Sequence, residues 1–128
     1  DYDKGDSIEA VARDFARFRE LGVRTWRGSF GWDDYEPERG RYDLDWLHQF
    51  AERARADGIT LRPYIGYTPA WATVPGRGDG QAWNDPPRDL EAWERFVDTL
   101  VRSMSRHDHI ASWEIYNEQN ARLWWDGT

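Results

Sequence analysis

Apolar residues near the start of the chain recur at spacings of three and four, at Ile8, Val11, Ala12, Phe15, Phe18 and Leu21. That spacing predicts an amphipathic helix, with Ser7 as its N-cap and Gly22 as its stop. From Val23 to Ser29 the residue types turn β-branched and aromatic, which reads as a strand with Val23, Thr25, Arg27 and Ser29 on one face. A polar stretch from Phe30 to Tyr42, holding Pro37 and Gly40, then reads as a loop. Asp43 caps a second helix that carries Leu44, Leu47, Ala51 and Ala54 and stops at Gly58. Residues 59–65 form a second strand, weakened by Pro63, which has no N–H for a ladder. The segment from Gly66 to Arg88 is rich in proline and glycine, and nothing regular is expected in it. Asp89 opens a third helix with Leu90, Trp93, Val97, Leu100, Val101 and Met104 on one stripe, and Ile110 to Tyr116 reads as a third strand.

The resulting order, α-β-α-β-α-β, predicts parallel βαβ units in an α/β fold. Two junctions are alike, Leu21-Gly22-Val23 and Asp57-Gly58-Ile59, each a helix stop running straight into a strand. The connections are lopsided: helix-to-strand links are one or two residues, whereas strand-to-helix links run from Phe30 to Tyr42 and from Gly66 to Arg88. Long loops at the carboxyl ends of parallel strands are where α/β proteins build their sites. Periodicity alone leaves a barrel and a doubly wound sheet both open. Gly28-Ser29-Phe30-Gly31 has neither the dinucleotide spacing nor a P-loop lysine, which argues against a nucleotide fold.

Composition removes several function classes. The 128 residues carry 17 basic and 24 acidic side chains, a net charge of −7, and no cysteine. A disulfide framework and a thiolate metal site are excluded, and a surface of this sign repels nucleic acid. No apolar run is long enough to span a membrane. Nine tryptophans, six tyrosines and five phenylalanines argue for a folded chain, since disordered acidic chains are poor in aromatics. No basic, apolar leader opens the sequence, and the compartment stays undetermined.

The third strand leads into Trp113-Glu114-Ile115-Tyr116-Asn117-Glu118-Gln119-Asn120. This segment resembles the strand-4 motif of the clan A retaining glycoside hydrolases, which include cellulase-like, β-xylosidase-like and β-galactosidase-like families. Leu21-Gly22-Val23-Arg24-Thr25-Trp26-Arg27 followed by Trp32 is similar to the clan's strand-2 segment, and Trp32-Asp33-Asp34-Tyr35-Glu36-Pro37 with Gly40-Arg41-Tyr42-Asp43 to the loop after it. Gly66-Tyr67-Thr68-Pro69-Ala70-Trp71-Ala72 is like the loop after strand 3. The resemblance covers nearly the whole chain in order. It implies a partial (β/α)8 TIM barrel, with residues 1–128 as the N-terminal portion of one barrel domain holding its second, third and fourth strands and the helix before each.

The resemblance further implies hydrolysis of β-linked saccharides by retaining double displacement, with no metal or organic cofactor. Glu118 matches the acid/base residue, Asn117 the residue that binds the sugar hydroxyl beside the anomeric carbon, and Arg27 the arginine that supports the nucleophile. Strict strand alternation sends Asn117 and Glu118 to opposite faces, so the strand must end or twist at Asn117. The nucleophile belongs to a seventh strand outside these residues, and the 128 residues alone are expected to be inactive. An oligosaccharide, polysaccharide or other β-glycoside is the expected partner, with no nucleic acid and no membrane; the oligomeric state is undetermined.

Among the loop aromatics, Trp32, Trp71, Trp124, Tyr67 and Tyr116 are candidates for stacking on a sugar ring. Trp26, Trp46, Trp93 and Trp113 lie on strands or helices and are read as packing. Glu114 is read as an ion-pair partner of Arg27. Asp33, Asp34 and Glu36 form an acidic group read as a solvated loop with sugar-hydroxyl contacts open to it. His107-Asp108-His109 sits at a helix end on the face opposite the site and is read as complementing the helix dipole. The alternative reading is a non-catalytic carbohydrate-binding or scaffold half-barrel.

Overall fold

A computed structural model describes residues 2–73 and 82–126. The first helix, α1 (Ile8–Glu20), starts where Ser7 accepts a hydrogen bond from the Ala10 amide, and Gly22 beyond its end takes φ +77°. Its buried residues, Val11 and Phe15, lie four apart on the predicted stripe. Helix α3 (Asp45–Ala56) buries Leu47, Phe50, Ala51 and Ala54 and is followed by Gly58 at φ +67°. Its N-cap is Leu44, which makes no side-chain cap; the expected cap Asp43 instead pairs with the Lys4 ammonium at 2.8 Å. Helix α4 (Leu90–Met104) is capped by the Asp89 side chain, as the sequence predicts.

The three predicted strands exist, each broken once. The first is β1 (Thr25–Trp26) and β2 (Ser29–Gly31), the second β3 (Thr60–Leu61) and β4 (Tyr64–Gly66). The third is a bridge at Ile110 followed by β5 (Glu114–Ile115). The pairings between these strands are parallel, with the second strand in the centre: β1 on β3, β2 on β4 and β4 on β5. Between the first two strands one register runs throughout, Thr25 facing Thr60 and Ser29 facing Tyr64. Between the second and third the register slips by one residue, since Leu61 faces Ile110 but Tyr64 faces Glu114. Three residues, 111–113, therefore oppose two, Arg62 and Pro63. This is a bulge, placed where Pro63 offers no N–H to the ladder.

One face of the sheet packs on the helices. Trp26, Phe30, Ile59, Leu61 and Ile65 are buried there, with Phe50 of α3 edge-on to Trp26 at 4.9 Å and to Phe15 of α1 at 5.6 Å. The other face carries Thr25, Arg27 and Glu114.

Two departures from the sequence reading concern this core. The polar stretch after the first strand is not wholly loop: β2 extends to Gly31, and Trp32–Tyr35 forms a short helix, α2, that buries both terminal rings. On α4 the buried line is Ala92, Phe96, Leu100 and Met104. Leu90 is exposed, and Trp93, Val97 and Val101 are half-buried beside Ile115. The Gly66–Arg88 segment forms short 3₁₀ turns at Ala70–Ala72 and Ala82–Asn84. Among the described residues no helix is long and apolar enough to cross a membrane.

Candidate active site

The chain leaves β5 abruptly. Tyr116 has φ +57° and Glu118 φ +53°, a left-handed backbone that residues with a Cβ rarely adopt, and Asn117 lies between them. The end to regular extension that the sequence reading required at Asn117 is present. A third left-handed residue, Tyr67 at φ +62°, follows β4 at the neighbouring position. Among the described residues, all the left-handed residues other than glycine thus lie just past carboxyl ends of adjacent strands, where α/β sites are built.

Arg27 binds two of these elements together. Its Nε lies 3.1 Å from both carboxylate oxygens of Glu114, and its Nη2 donates to Glu114 Oε2 at 2.7 Å and to Asn117 Oδ1 at 2.9 Å. The guanidinium also lies over the Tyr64 ring, 5.0 Å from its centre. Bonding to Arg27 holds the Glu114 carboxyl below the usual carboxylate range, and Glu114 with the nearby charge of Glu118 raises Arg27. Because the Asn117 oxygen is committed to Arg27, its amide nitrogen is the end left for a ligand. Glu118 is exposed among the described residues. Its carbonyl accepts from the Ala121 amide at 2.8 Å, and the Ala121 carbonyl accepts from Trp124 at 2.9 Å. Two successive tight turns thus connect Glu118 to Trp124.

Trp124 enters a cleft of about 270 Å³ at the strand ends. Ser29 of β2 and Asp33 and Asp34 of α2 line it together with Tyr67, Trp83 and Asp3. The Tyr67 ring meets Trp83 edge-on at 5.8 Å, and Trp83 meets Trp124 at 5.7 Å. The Tyr67 hydroxyl shares a hydrogen bond with Tyr64 at 3.1 Å, which joins this cleft to the ring beneath Arg27. Burial, with the charge of Asp34, pushes Asp33 up to about 7.

The stacking candidates therefore separate. Tyr67 and Trp124 share the cleft. Trp71 does not: its Nε1 donates to the Glu36 carbonyl at 2.9 Å, and it lines a larger cleft of about 730 Å³ with Arg39, Arg88 and Asp89. Trp32 is no stacking surface, which corrects the sequence expectation. It is fully buried between Trp71 and Phe96, and its Nε1 donates to Glu36 Oε2 at 2.6 Å. Tyr116 is likewise buried, with its ring against Trp93 and Trp125 and its hydroxyl 3.0 Å from Thr68 Oγ1. Burial pushes that phenol up to about 12. Gly66 leaves the room it needs, since a Cβ there would lie 3.1 Å from the Tyr116 ring.

Glu36 also departs from the solvated loop expected of it. It is buried, and its second oxygen accepts from the Gly40 amide at 2.7 Å. Two further cleft residues are Trp83, a loop tryptophan on the predicted site edge, and Asp33, from the acidic group whose sugar-hydroxyl contacts the sequence reading leaves open. At the opposite end of the sheet, His107 shares a hydrogen bond with His48 at 2.9 Å, and His48 another with Ser103 at 3.0 Å. Among the described residues no group of three or more histidine, cysteine or acidic side chains could hold a metal ion.

Comparison with known proteins bears on the fold and the family. The chain is 29% identical over 131 aligned residues to the β-galactosidase BgaH of Haloferax lucentense, covering 88% of this chain and 20% of that protein. Among solved structures it superposes on the exo-β-1,4-mannosidase Op5Man5 of an Opitutaceae bacterium with a TM-score of 0.70, at 21% identity, over 92% of this chain and 22% of the other. It matches the cold-adapted β-galactosidase of Rahnella sp. R3 with a TM-score of 0.65, at 25% identity, over 88% of this chain and 19% of the other. The chain spans a fifth or less of the length of the curated relatives it matches. Its fold is accordingly part of a (β/α)8 barrel of the clan A glycoside hydrolase type. The model of the glycoside hydrolase family 42, described as β-galactosidase, matches residues 2–75, more than half of the chain, and the chain belongs to that family.

Proposed function

We propose that this protein hydrolyses β-galactosides or closely related β-glycosides with retention of configuration, residues 1–128 being the N-terminal portion of one barrel domain. The observation that carries the reading is the placement of Asn117 and Glu118 past the end of β5, with Arg27 bonded to Asn117. The galactoside assignment rests on the family description and the names of the relatives.

In the first step Glu118 gives its proton to the glycosidic oxygen as a carboxylate from a later strand attacks the anomeric carbon, so the carbon–oxygen bond breaks and the alcohol departs. In the second step ionised Glu118 takes a proton from water, whose oxygen attacks the anomeric carbon and releases the nucleophile. Retaining geometry asks for the two carboxyl groups about 5–5.5 Å apart. Glu118 is exposed in the present residues, and it falls to the later strands to bury it and to supply the partner carboxylate. The 128 residues by themselves should therefore bind sugar weakly and turn nothing over. Asn117 donates through its amide nitrogen to the hydroxyl beside the anomeric carbon, and Arg27 fixes which end of that amide faces the sugar.

The test is hydrolysis of aryl β-galactosides by the intact protein as its source makes it, and by its Glu118→Ala form. Turnover in the first with a large loss in the second supports the reading. Undiminished turnover in the variant overturns it, and saccharide binding without turnover by the intact protein favours a carbohydrate-binding role.

A further inference from the structure

The cleft beside Arg27 contains a carboxylate that the proposed reaction leaves without a task. Asp33 is anchored twice: its amide donates to the Tyr67 carbonyl at 2.9 Å, and its Oδ1 accepts from the Asp34 amide at 3.0 Å. Among the described residues no side-chain donor reaches it. Its Oδ2 remains to accept from a ligand in the cleft that it lines. Gly31 makes room for this arrangement, since a Cβ there would lie 2.7 Å from Asp33 Oδ1 and 3.3 Å from the Tyr67 ring.

The walls are aromatic, formed by Tyr67, Trp83 and Trp124, which suits the apolar face of a pyranose. Among the described residues no cationic side chain lines the cleft. The ammonium of Lys4, from the same N-terminal segment as Asp3, is committed to Asp43 at 2.8 Å and to the Asp34 carbonyl at 2.9 Å. At about 270 Å³ the space lies below the usual range for ligand sites, about 300–1,000 Å³, and admits one ring instead of a chain.

We propose that Asp33 is a specificity-determining residue for the sugar: it accepts hydrogen bonds from hydroxyls of an uncharged ring stacked in this cleft, and it excludes uronates and sulfated or phosphorylated sugars. This rests on the reading of the protein as acting on saccharides. Ionised, the carboxylate is a strong acceptor for hydroxyl donors, and among the described residues an anionic sugar in the cleft faces three acidic lining groups. Asp33 touches substrate in this arrangement but takes no part in bond cleavage, so its effect falls on binding.

The experiment is calorimetric titration of the intact protein with methyl β-D-galactopyranoside, the matching methyl galacturonide and methyl 2-amino-2-deoxy-β-D-galactopyranoside, at a pH above 7. The expected order places the neutral sugar at least tenfold tighter than the uronide. Asp33→Ala should weaken the neutral sugar by about tenfold or more, the usual cost of losing a hydrogen bond to a charged group. Asp33→Asn keeps the shape and should narrow the gap between neutral sugar and uronide about tenfold. Gly31→Ala, which displaces the carboxylate without removing it, should act like Asp33→Ala. Unfolding midpoints of the variants identify any that fail to fold, and the nearly isosteric Asp33→Asn then decides. Equal binding of uronide and neutral sugar, unchanged affinity in Asp33→Asn and Asp33→Ala, or an ammonium sugar bound no better than the uronide would overturn the proposal. Because binding is read without turnover, the two readings fail separately. Hydrolysis of aryl galactosides that is indifferent to Asp33 sinks this one alone, whereas the predicted binding pattern without hydrolysis sinks the glycosidase reading alone.

Discussion

Arg27 Nη2 donates to Asn117 Oδ1 at 2.9 Å while the same nitrogen holds Glu114 Oε2 at 2.7 Å. A residue on the first strand thereby sets the orientation of an amide beyond the end of the third. The planar fork of arginine is suited to this double duty, and a lysine at the same place could reach one partner as a point charge but not both with fixed geometry.

Arg27→Lys should therefore lower kcat/KM for an aryl β-galactoside in the intact protein by about 100-fold, the scale of a misplaced binding group. The thermal midpoint should change little, because both members of the ion pair are more than a third exposed. Steady-state kinetics beside a melting curve check this. A lower midpoint with unchanged kcat/KM would confine Arg27 to an ion-pair role.

The loop after β2 makes the opposite prediction. Trp32 is fully buried and donates to buried Glu36, whose other oxygen holds the Gly40 amide. Trp32→Phe keeps an aromatic ring but removes the donor, leaving Glu36 Oε2 buried without its partner. Chemical denaturation should show a loss of about 1–3 kcal/mol or more. Saccharide affinity, measured by titration on the folded variant, should stay within about twofold. A strong loss of affinity at unchanged stability would restore Trp32 to the sugar site.

Stability should also respond to pH through the histidines at the base of the sheet. Burial holds His48, His107 and His109 below the ordinary histidine value of 6.5, and the Arg106 charge presses the same way on His48 and His107, against Glu52. Asp45 opposes it at His48 as well. A depressed histidine pKa means that the unfolded chain binds more protons, so this contribution is complete above the unfolded value and is lost as pH falls through 6.5 towards the folded values. The lowered carboxyls of Asp43 and Glu114 act in a separate, more acidic window, below the ordinary carboxylate values. The raised Asp33 acts oppositely in the same window, gaining stability as pH falls through about 7, so the histidine part is read as a difference: between about pH 5 and 8 the midpoint of His48→Gln should fall less, or rise more, on the acid side of 6.5 than that of the parent. An equal change in variant and parent would remove the His48–His107 pair as its cause.

The helices were legible because their ends are marked locally: Ser7 and Asp89 cap, and Gly22 and Gly58 stop with positive φ. The parallel order and the shared face of Thr25, Arg27 and Ser29 followed from period alone. What failed was the environment of loop residues. An indole outside a helix or strand reads the same whether it faces water or core, and only the Trp32–Glu36 spacing of four hinted at a turn of helix closed by an indole-to-carboxylate bond. The slipped register opposite Pro63 leaves no trace in the third strand's own residues. The cleft was illegible as a unit because Asp33, Tyr67, Trp83 and Trp124 come from four separate segments and meet only once the sheet is formed.

The role proposed for Glu118 makes a prediction that separates proton donation from every structural effect. A general acid matters in proportion to how much its leaving group needs a proton, so an alkyl or unsubstituted phenyl aglycone depends on it strongly and a dinitrophenyl aglycone hardly at all. Glu118→Gln keeps size and polarity at a position whose left-handed backbone, φ +53°, would make larger changes hard to interpret. The variant in the intact protein should lose about 10²–10⁴-fold in kcat/KM on phenyl β-galactoside, with a far smaller loss in bond cleavage on the dinitrophenyl compound. Equal losses on both substrates would mean that Glu118 does not deliver the proton, and its exposed place after β5 would then need another explanation.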